Sequence, residues 1–316
     1  MNERGSTQAA SEAKTMSAVR LISARGVDGL ALEQVPIPQP GSGEALVRVH
    51  AAAITRDELH WPVDRLPAIP SYELSGVIAA LGSNVLDLQI GDAVWSLTGF
   101  DRDGVAADYT VVPASRLAPK PRTLGHRESA AIPLAGLSAW QGLFDHGRLQ
   151  TGERVLIHGA AGGVGRFATQ LARWRGAYVI GTGSSSAAVE QIRALGVDEV
   201  MDRTRGHFEK AIAPVDLVFD TVGGEALARS AAVLRDGGRL VSVAEEPLAV
   251  GERVLTTYFV VEPSREQLIE LAYLVDEGAI RPAIDSDFPL AEARAAFERV
   301  RKPGKRGKVL LQVVAD

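Results

Sequence analysis

The chain has 316 residues, 46% hydrophobic and 23% charged, the balance of a folded globular protein with room for one large or two ordinary domains. Its formal net charge of −5 gives no electrostatic pull toward nucleic acid or an anionic membrane surface, and no apolar run is long enough to span a bilayer. The absence of cysteine excludes disulfides, thiolate nucleophiles and cysteine-ligated metals, and it suits a cytoplasmic location.

Residues 1–15 are polar, aperiodic and without the apolar centre of a signal peptide, so a mobile tail is expected, with ordered chain from Met16. From Ala18 to about Pro121 short strand patterns (AVRLIS, EALVRVHAAAI, LSGVIAALG, DAVWSL, ADYTVV) alternate with turn-rich separators such as PIPQPGSG and FDRDG. This predicts an antiparallel β domain, a small barrel. The stretch RESAAIPLAGLSAWQGLFDHG is helical in pattern.

Strands and helices then alternate: ERVLIH, helix VGRFATQLARWRG, AYVIGT, helix SAAVEQIRALG, DEVMD, helix HFEKAIA, VDLVFD, helix GEALARSAAVL, GRLVSV and RVLTTYFVV. Apolar strands separated by amphipathic helices specify a parallel sheet covered on both faces, an α/β doubly wound fold. In the first helix Val164, Phe167, Leu171 and Trp174 recur at helical spacing and predict its buried stripe. Two further helices, SREQLIELAYLVDEG and LAEARAAFERVR, precede a last strand, KVLLQVV.

The stretch IHGAAGGVG, residues 157–165, follows a buried-type strand and opens a helix inside a βαβ unit. Glycines there let the backbone approach a pyrophosphate whose charge faces the helix N-terminus. The usual GxGxxG register would place its first glycine at Ala160. Gly159, Gly162 and Gly165 give GxxGxxG spacing instead, with Ala161, Gly163 and Val164 between them. The alternative, a turn made tight only for packing, fits the surrounding alternation less well.

The end of the second strand separates the two dinucleotides. A carboxylate there would bond the ribose 2′-hydroxyl of NAD and repel a 2′-phosphate. This strand runs into Gly183, Ser184, Ser185 and Ser186, with no acid before Glu190. Serine hydroxyls and free amides can donate to a phosphate, and Arg203 after the third strand could add charge or simply be solvated. NADPH is the expected cofactor.

These motifs, with PLAGLSAWQGL, GDAVWSL followed by DGVAADY, Gln170 after AAGGVG and the tail FPLAEARAAFERVRKPGKRGKVLL, resemble the medium-chain dehydrogenase/reductases of the zinc-independent quinone oxidoreductase (zeta-crystallin-like) branch. The resemblance covers nearly all of 16–316. It implies a GroES-like β-barrel catalytic domain (16–121 and 263–316), a Rossmann NADP-binding domain (122–262) and an active-site cleft between them. It further implies cofactor contacts at Ser138, Gly223 (with Gly224) of DTVGG, Ser242 and Val243, Phe259 and Val260, and Lys308, with Arg306 nearby. Arg56 matches a phosphate-contacting position of some relatives. The strand RVLTTYFVV is expected at a sheet edge, pairing with its copy in a homodimer.

Zinc-dependent relatives carry a cysteine where this chain has Thr55 and a histidine, in a GHE motif, where it has Tyr72. Their third ligand is a cysteine, which this chain lacks, and its six histidines show no ligand spacing. Without a Lewis acid, alcohol oxidation at neutral pH is hard, whereas a quinone or α,β-unsaturated carbonyl can accept hydride directly. The oxyanion that develops needs a donor. Tyr72 is a candidate, or it packs the wall while water supplies the proton. Thr55 could bond substrate or nicotinamide ribose, and Trp61 could stack on a planar substrate or lie in the core.

The expected function is reduction of a quinone or enone, a small-molecule substrate, by NADPH. Two alternatives remain at this point. One is an enoyl-thioester reductase of the same fold, whose carrier would meet the basic stretch RKPGKR (301–306). The other is a non-catalytic NADPH-binding protein, crystallin-like or regulatory.

Overall fold

The alternation of turn-rich and apolar segments resolves into two sheet systems. The computed structural model describes residues 14–248, 251 and 253–314, apart from the side chain of Arg205, so the expected tail lies outside the described residues up to position 13. The first system begins with β1 (Thr15–Leu21), β2 (Leu30–Pro36), β3 (Glu44–Ile54) and β4 (Glu73–Leu81). It continues through β5 (Ala93–Leu97), β6 (Tyr109–Pro113) and β7 (Ala118–Pro119). β1 pairs antiparallel with β2, and β3 is the hub of a larger sheet, paired with β4 along nearly its whole length, with β6 along its first half and with a C-terminal strand along its last residues.

The connection holds α1 (His126–Ala130) and α2 (Pro133–Trp140), the latter running into a π-type turn over Gln141–His146. Pro133 starts α2 because a proline ring fits the first helical turn, where its missing N–H costs nothing. The second system then follows in order: β8 (Arg154–His158), α3 (Gly163–Trp174), β9 (Tyr178–Gly183), α4 (Ser186–Ala194) and β10 (Glu199–Asp202). After it come β11 (Val215–Asp220), α5 (Gly224–Ser230), β12 (Leu234–Ser242) and β13 (Val254–Tyr258). Their strand order, β10-β9-β8-β11-β12-β13, is all parallel, with the switch point beside β8. Among the described residues β13 ends this sheet, bonded only to β12.

After α6 (Arg265–Asp276), β14 (Ile284–Pro289), α7 (Ala293–Arg301) and β15 (Lys308–Gln312) return to the first system, where β15 pairs antiparallel with the end of β3. The fold is thus a GroES-like domain joined to a Rossmann-type sheet. One apolar cluster fills the barrel around Leu74, Ile78 and Phe297. Another runs from Val155 of the parallel sheet and Phe167 and Leu171 of α3 through α6 to Tyr72 and Trp95, so the two halves share packing. No helix among the described residues is long and apolar enough to cross a membrane.

Three details depart from expectation. HFEKAIA forms only a short 3₁₀ turn at Phe208–Lys210, because Gly206 before it and Pro214 after it leave too few residues for an α-helix. β2 and β14 carry weak patterns and exist through their partners, β1 and β15. In α3, Phe167 and Leu171 are buried as predicted, but Trp174, its last residue, is 46% exposed.

Candidate functional site

The glycine turn is built from backbone. Gly159 has φ of 71°, a left-handed conformation that glycine adopts without penalty, and its carbonyl accepts the Gly162 amide at 2.8 Å. A Cβ on Gly165 would lie 2.2 Å from the Gly159 oxygen, so the first turn of α3 is in direct contact with the loop. Gly162 caps α3 and is exposed; Ala160 is buried beneath, and Ala161 and Val164 are half-buried against the shared core. With its unbonded leading amides and its positive end, this α3 terminus is chemically fit for a pyrophosphate.

The strand ends around it are held by side chains. Asp220, at the end of β11, accepts the Gly223 amide at 2.9 Å and the Ser242 hydroxyl at 2.8 Å. The Ser242 hydroxyl in turn accepts the amides of Ala244 and Glu245, while Val243 N–H bonds the Asp220 carbonyl. Burial raises the carboxyl pKa of Asp220 against these donors. His158, ending β8, bonds Thr182 and Ser230; burial first, and then the charges of Arg203 and Arg229, lower its pKa to about 3, so it is neutral. Phe259 bonds Ser242 through its amide and packs on His146, and Val260 is exposed.

Gly183 closes β9 in a tight place: a Cβ there would stand 3.1 Å from the Val189 nitrogen and 3.2 Å from Ala188 and Ile192. The first open side chain past β9 is therefore Ser184, while the Ser185 hydroxyl caps α4 by accepting the Ala188 amide at 3.2 Å. The charge of Arg203 bears on His158 and Asp220, at the strand ends. Ser138 is buried with its hydroxyl bonded at 2.7 Å to the Leu134 carbonyl of its own helix.

Beside the turn, a second corner is built from side chains. Lys308 opens β15; its chain lies 3.7 Å from where a Gly163 Cβ would be, its ammonium is 3.4 Å from Thr55 Oγ1, and it forms an ion pair with Glu73. One lysine thus touches the glycine turn, the end of β3 and the start of β4. Glu73 is fully buried and its other oxygen accepts the Leu134 amide at 2.8 Å, which ties the corner to α2. Glu58, three residues after Thr55, accepts the Thr55 amide at 2.9 Å and leaves Oε1 buried without a partner. Burial drives its pKa to about 8, so it is mainly a neutral acid at pH 7.

Tyr72 follows Ser71, whose φ of 66° is held by its hydroxyl donating to the Ala53 carbonyl and by its own carbonyl accepting the Val105 amide. That turn aims the phenol at Trp61 (ring centroids 5.6 Å apart) and Phe100 (5.3 Å). Arg65 donates from Nη2 to the phenol oxygen at 3.0 Å and to the Phe100 carbonyl at 2.8 Å. Burial raises the phenol pKa, so it stays protonated, with its own O–H left to donate. Trp61 is 36% exposed and forms the open end of this aromatic wall.

Of the residues expected from sequence, Thr55 and Tyr72 as catalytic candidates, Trp61 against substrate and Lys308 on the cofactor, the structure brings Lys308 to Thr55 and Trp61 to Tyr72. Sequence reading missed Glu58, Glu73, Arg65 and Phe100; a carboxylate three residues after Thr55 was the one local signal. Arg56 is exposed, and within the basic stretch Lys305 turns inward to the Val300 carbonyl.

Two family models match: an alcohol dehydrogenase GroES-like domain over residues 41–122 and a zinc-binding dehydrogenase over residues 195–311. A probable zinc-binding oxidoreductase, mitochondrial, of Arthroderma benhamiae is 32% identical over 90% of this chain and 93% of its own. The chain belongs to the medium-chain dehydrogenase/reductase family. Within this family its relatives include an NADPH-dependent alkenal/one oxidoreductase, chloroplastic, of Arabidopsis thaliana, 30% identical over 90% of this chain and 76% of its own. The quinone oxidoreductase structure from Coxiella burnetii superposes with a TM-score of 0.88 at 30% identity, covering 95% of this chain and all of its own. The chain is an NAD(P)H-dependent oxidoreductase of this kind.

Zinc, which some members bind, does not fit the donors of this corner. Thr55 offers a neutral hydroxyl, the Tyr72 oxygen takes a bond from Arg65, and Glu73 already faces the ammonium of Lys308. Among the described residues no three His, Asp or Glu side chains gather as a metal site.

Proposed function

We propose that the protein reduces quinones or α,β-unsaturated carbonyls with NADPH. The observation that carries the reading is Lys308, whose chain passes beside Gly163 of the glycine turn while its ammonium meets Thr55 and Glu73. Bound at Gly159–Gly165, NADPH would supply a hydride to the acceptor's electrophilic carbon. Lys308 holds positive charge beside the turn, where a pyrophosphate would lie. Trp61 and Phe100 offer planar apolar surface against which a conjugated acceptor can lie. Tyr72 keeps its proton because it is buried, and Arg65, bonded to its oxygen, makes the phenol a stronger donor to an oxyanion. Specificity for NADPH rests on Ser184 and Ser185, where an NAD site would carry an acid, with Arg203 adding positive potential at the strand ends.

We further propose that β13 pairs with its copy in a homodimer: it is the open edge of the parallel sheet, with Leu255 63% and Tyr258 45% exposed. The direct test of the activity is NADPH oxidation with a panel of 1,4-quinones, alkenals, enoyl thioesters and alcohols (the last with NADP⁺). Turnover with quinones or alkenals is the expected result. Turnover confined to thioesters or alcohols would overturn it.

A further inference from the structure

Along one side of α3, from Arg166 in its first turn to Trp174 at its end, lies a cleft of about 550 Å³. Its walls include Arg166, Gln170, Arg173 and Trp174 of α3, Leu195 just past α4, and Arg281 on the connection from α6 to β14. Three guanidinium groups line it and no acidic residue does, in a chain whose formal net charge is −5. None of the three arginines has an acidic partner among the described residues. Arg173 spends one nitrogen on the Leu195 carbonyl, where it satisfies the end of α4. Arg166 is half-buried, and its Nε is buried with no hydrogen-bond partner. Burial lowers its pKa, and no carboxylate offsets that cost.

The cleft is also braced. Gln170 accepts the Arg281 amide at 2.9 Å and donates to the Arg281 carbonyl at 3.2 Å, fixing the backbone of the connection against α3 while leaving the Arg281 side chain to the cleft. At the far end Trp174 leans on Trp140, ring centroids 6.4 Å apart, and leaves much of its indole open. From Arg166 to Trp174 the helix rises about 12 Å, enough to separate a phosphate group from a planar ring in one ligand.

Guanidinium groups without acids select phosphate oxygens, and an exposed indole beside them selects a flat ring. The geometry points to a second nucleotide site: a nucleoside polyphosphate bound with its phosphates between Arg166 and Arg281 and its base on Trp174. The site does not depend on the reductase reading, because it uses none of the residues assigned to the reaction. The volume falls within the range of pockets that hold molecules of this size.

The test uses the whole protein saturated with NADPH, so that the dinucleotide site is filled, and follows tryptophan emission and calorimetry during titration with ATP, tripolyphosphate or adenosine. ATP is expected to bind saturably and change the emission, tripolyphosphate to bind more weakly without that change, and adenosine not to bind. Arg166→Gln with Arg281→Gln should weaken ATP by roughly tenfold or more, since each removes a charge-assisted bond. Trp174→Phe should abolish the emission change, and it keeps the test open if the arginine pair fails to fold. Absence of saturable ATP binding would overturn the proposal, as would displacement of ATP by NADPH, equal affinity for ATP and tripolyphosphate, or unchanged binding by the folded double arginine variant.

Discussion

The glycine turn and the corner of Thr55, Glu73 and Lys308 are built in two different ways. The turn is backbone: Gly159, Gly162 and Gly165 lie within seven positions, and contact between the Gly159 oxygen and Gly165 sets its shape. The corner is side chain: Thr55 and Lys308 meet across 253 positions of sequence, and both carboxylates beside them are buried. A backbone site is sensitive to bulk, because an added atom has nowhere to go. A buried charged site is sensitive to charge, because removing one partner strands the other.

The largest expected effect comes from breaking the corner. Lys308→Met leaves Glu73 buried without its ammonium and should cost about 3–5 kcal/mol in denaturant unfolding. Adding Glu73→Gln should recover part of that loss, and strictly additive costs would show that the pair is not coupled. The turn is tested next: Gly165→Val should weaken NADPH by roughly 100-fold, about 2.7 kcal/mol, with the barrel still folded by circular dichroism. Unchanged affinity would place the pyrophosphate elsewhere.

Titration separates the two further. The folded pKa of Glu58 is raised from 4.5 to about 8, so its stabilising share is fully present below pH 4.5 and is lost as pH rises through 8. The folded pKa of His158 is lowered from 6.5 to about 3, so its share is present above pH 6.5 and is lost as pH falls through 3. Glu58→Gln keeps an acceptor for the Thr55 amide and should flatten the decline in stability between pH 4.5 and 8, a difference of roughly a few kcal/mol across that window. A variant that tracks the parent across that window would show that Glu58 is ionised in the fold. The smallest effect concerns cofactor choice. Ser184→Asp should shift preference from NADPH toward NADH by about tenfold, roughly 1.4 kcal/mol. Ser184 is the position to change because Gly183 has no room for a side chain.

This contrast also explains what could be read from the chain. A glycine turn announces itself because its residues are adjacent and its context, strand then helix, is local. Thr55, Tyr72 and Lys308 were found through family resemblance, and their meeting depends on β15 returning beside β3, which no local pattern encodes. Arg65 and Phe100 carry no signal of their own; their roles arise from packing around Tyr72. Trp174 fits the helical period of its stripe, yet it is the residue at which α3 ends, and periodicity does not say where the core stops.

The central claim is that Lys308 and its neighbours, without a metal, complete the site that the glycine turn begins. The most direct measurement is the rate of NADPH-driven reduction of a quinone or alkenal before and after exhaustive chelation. The account predicts an unchanged kcat/KM. Loss of activity on chelation, restored by added zinc, would contradict it.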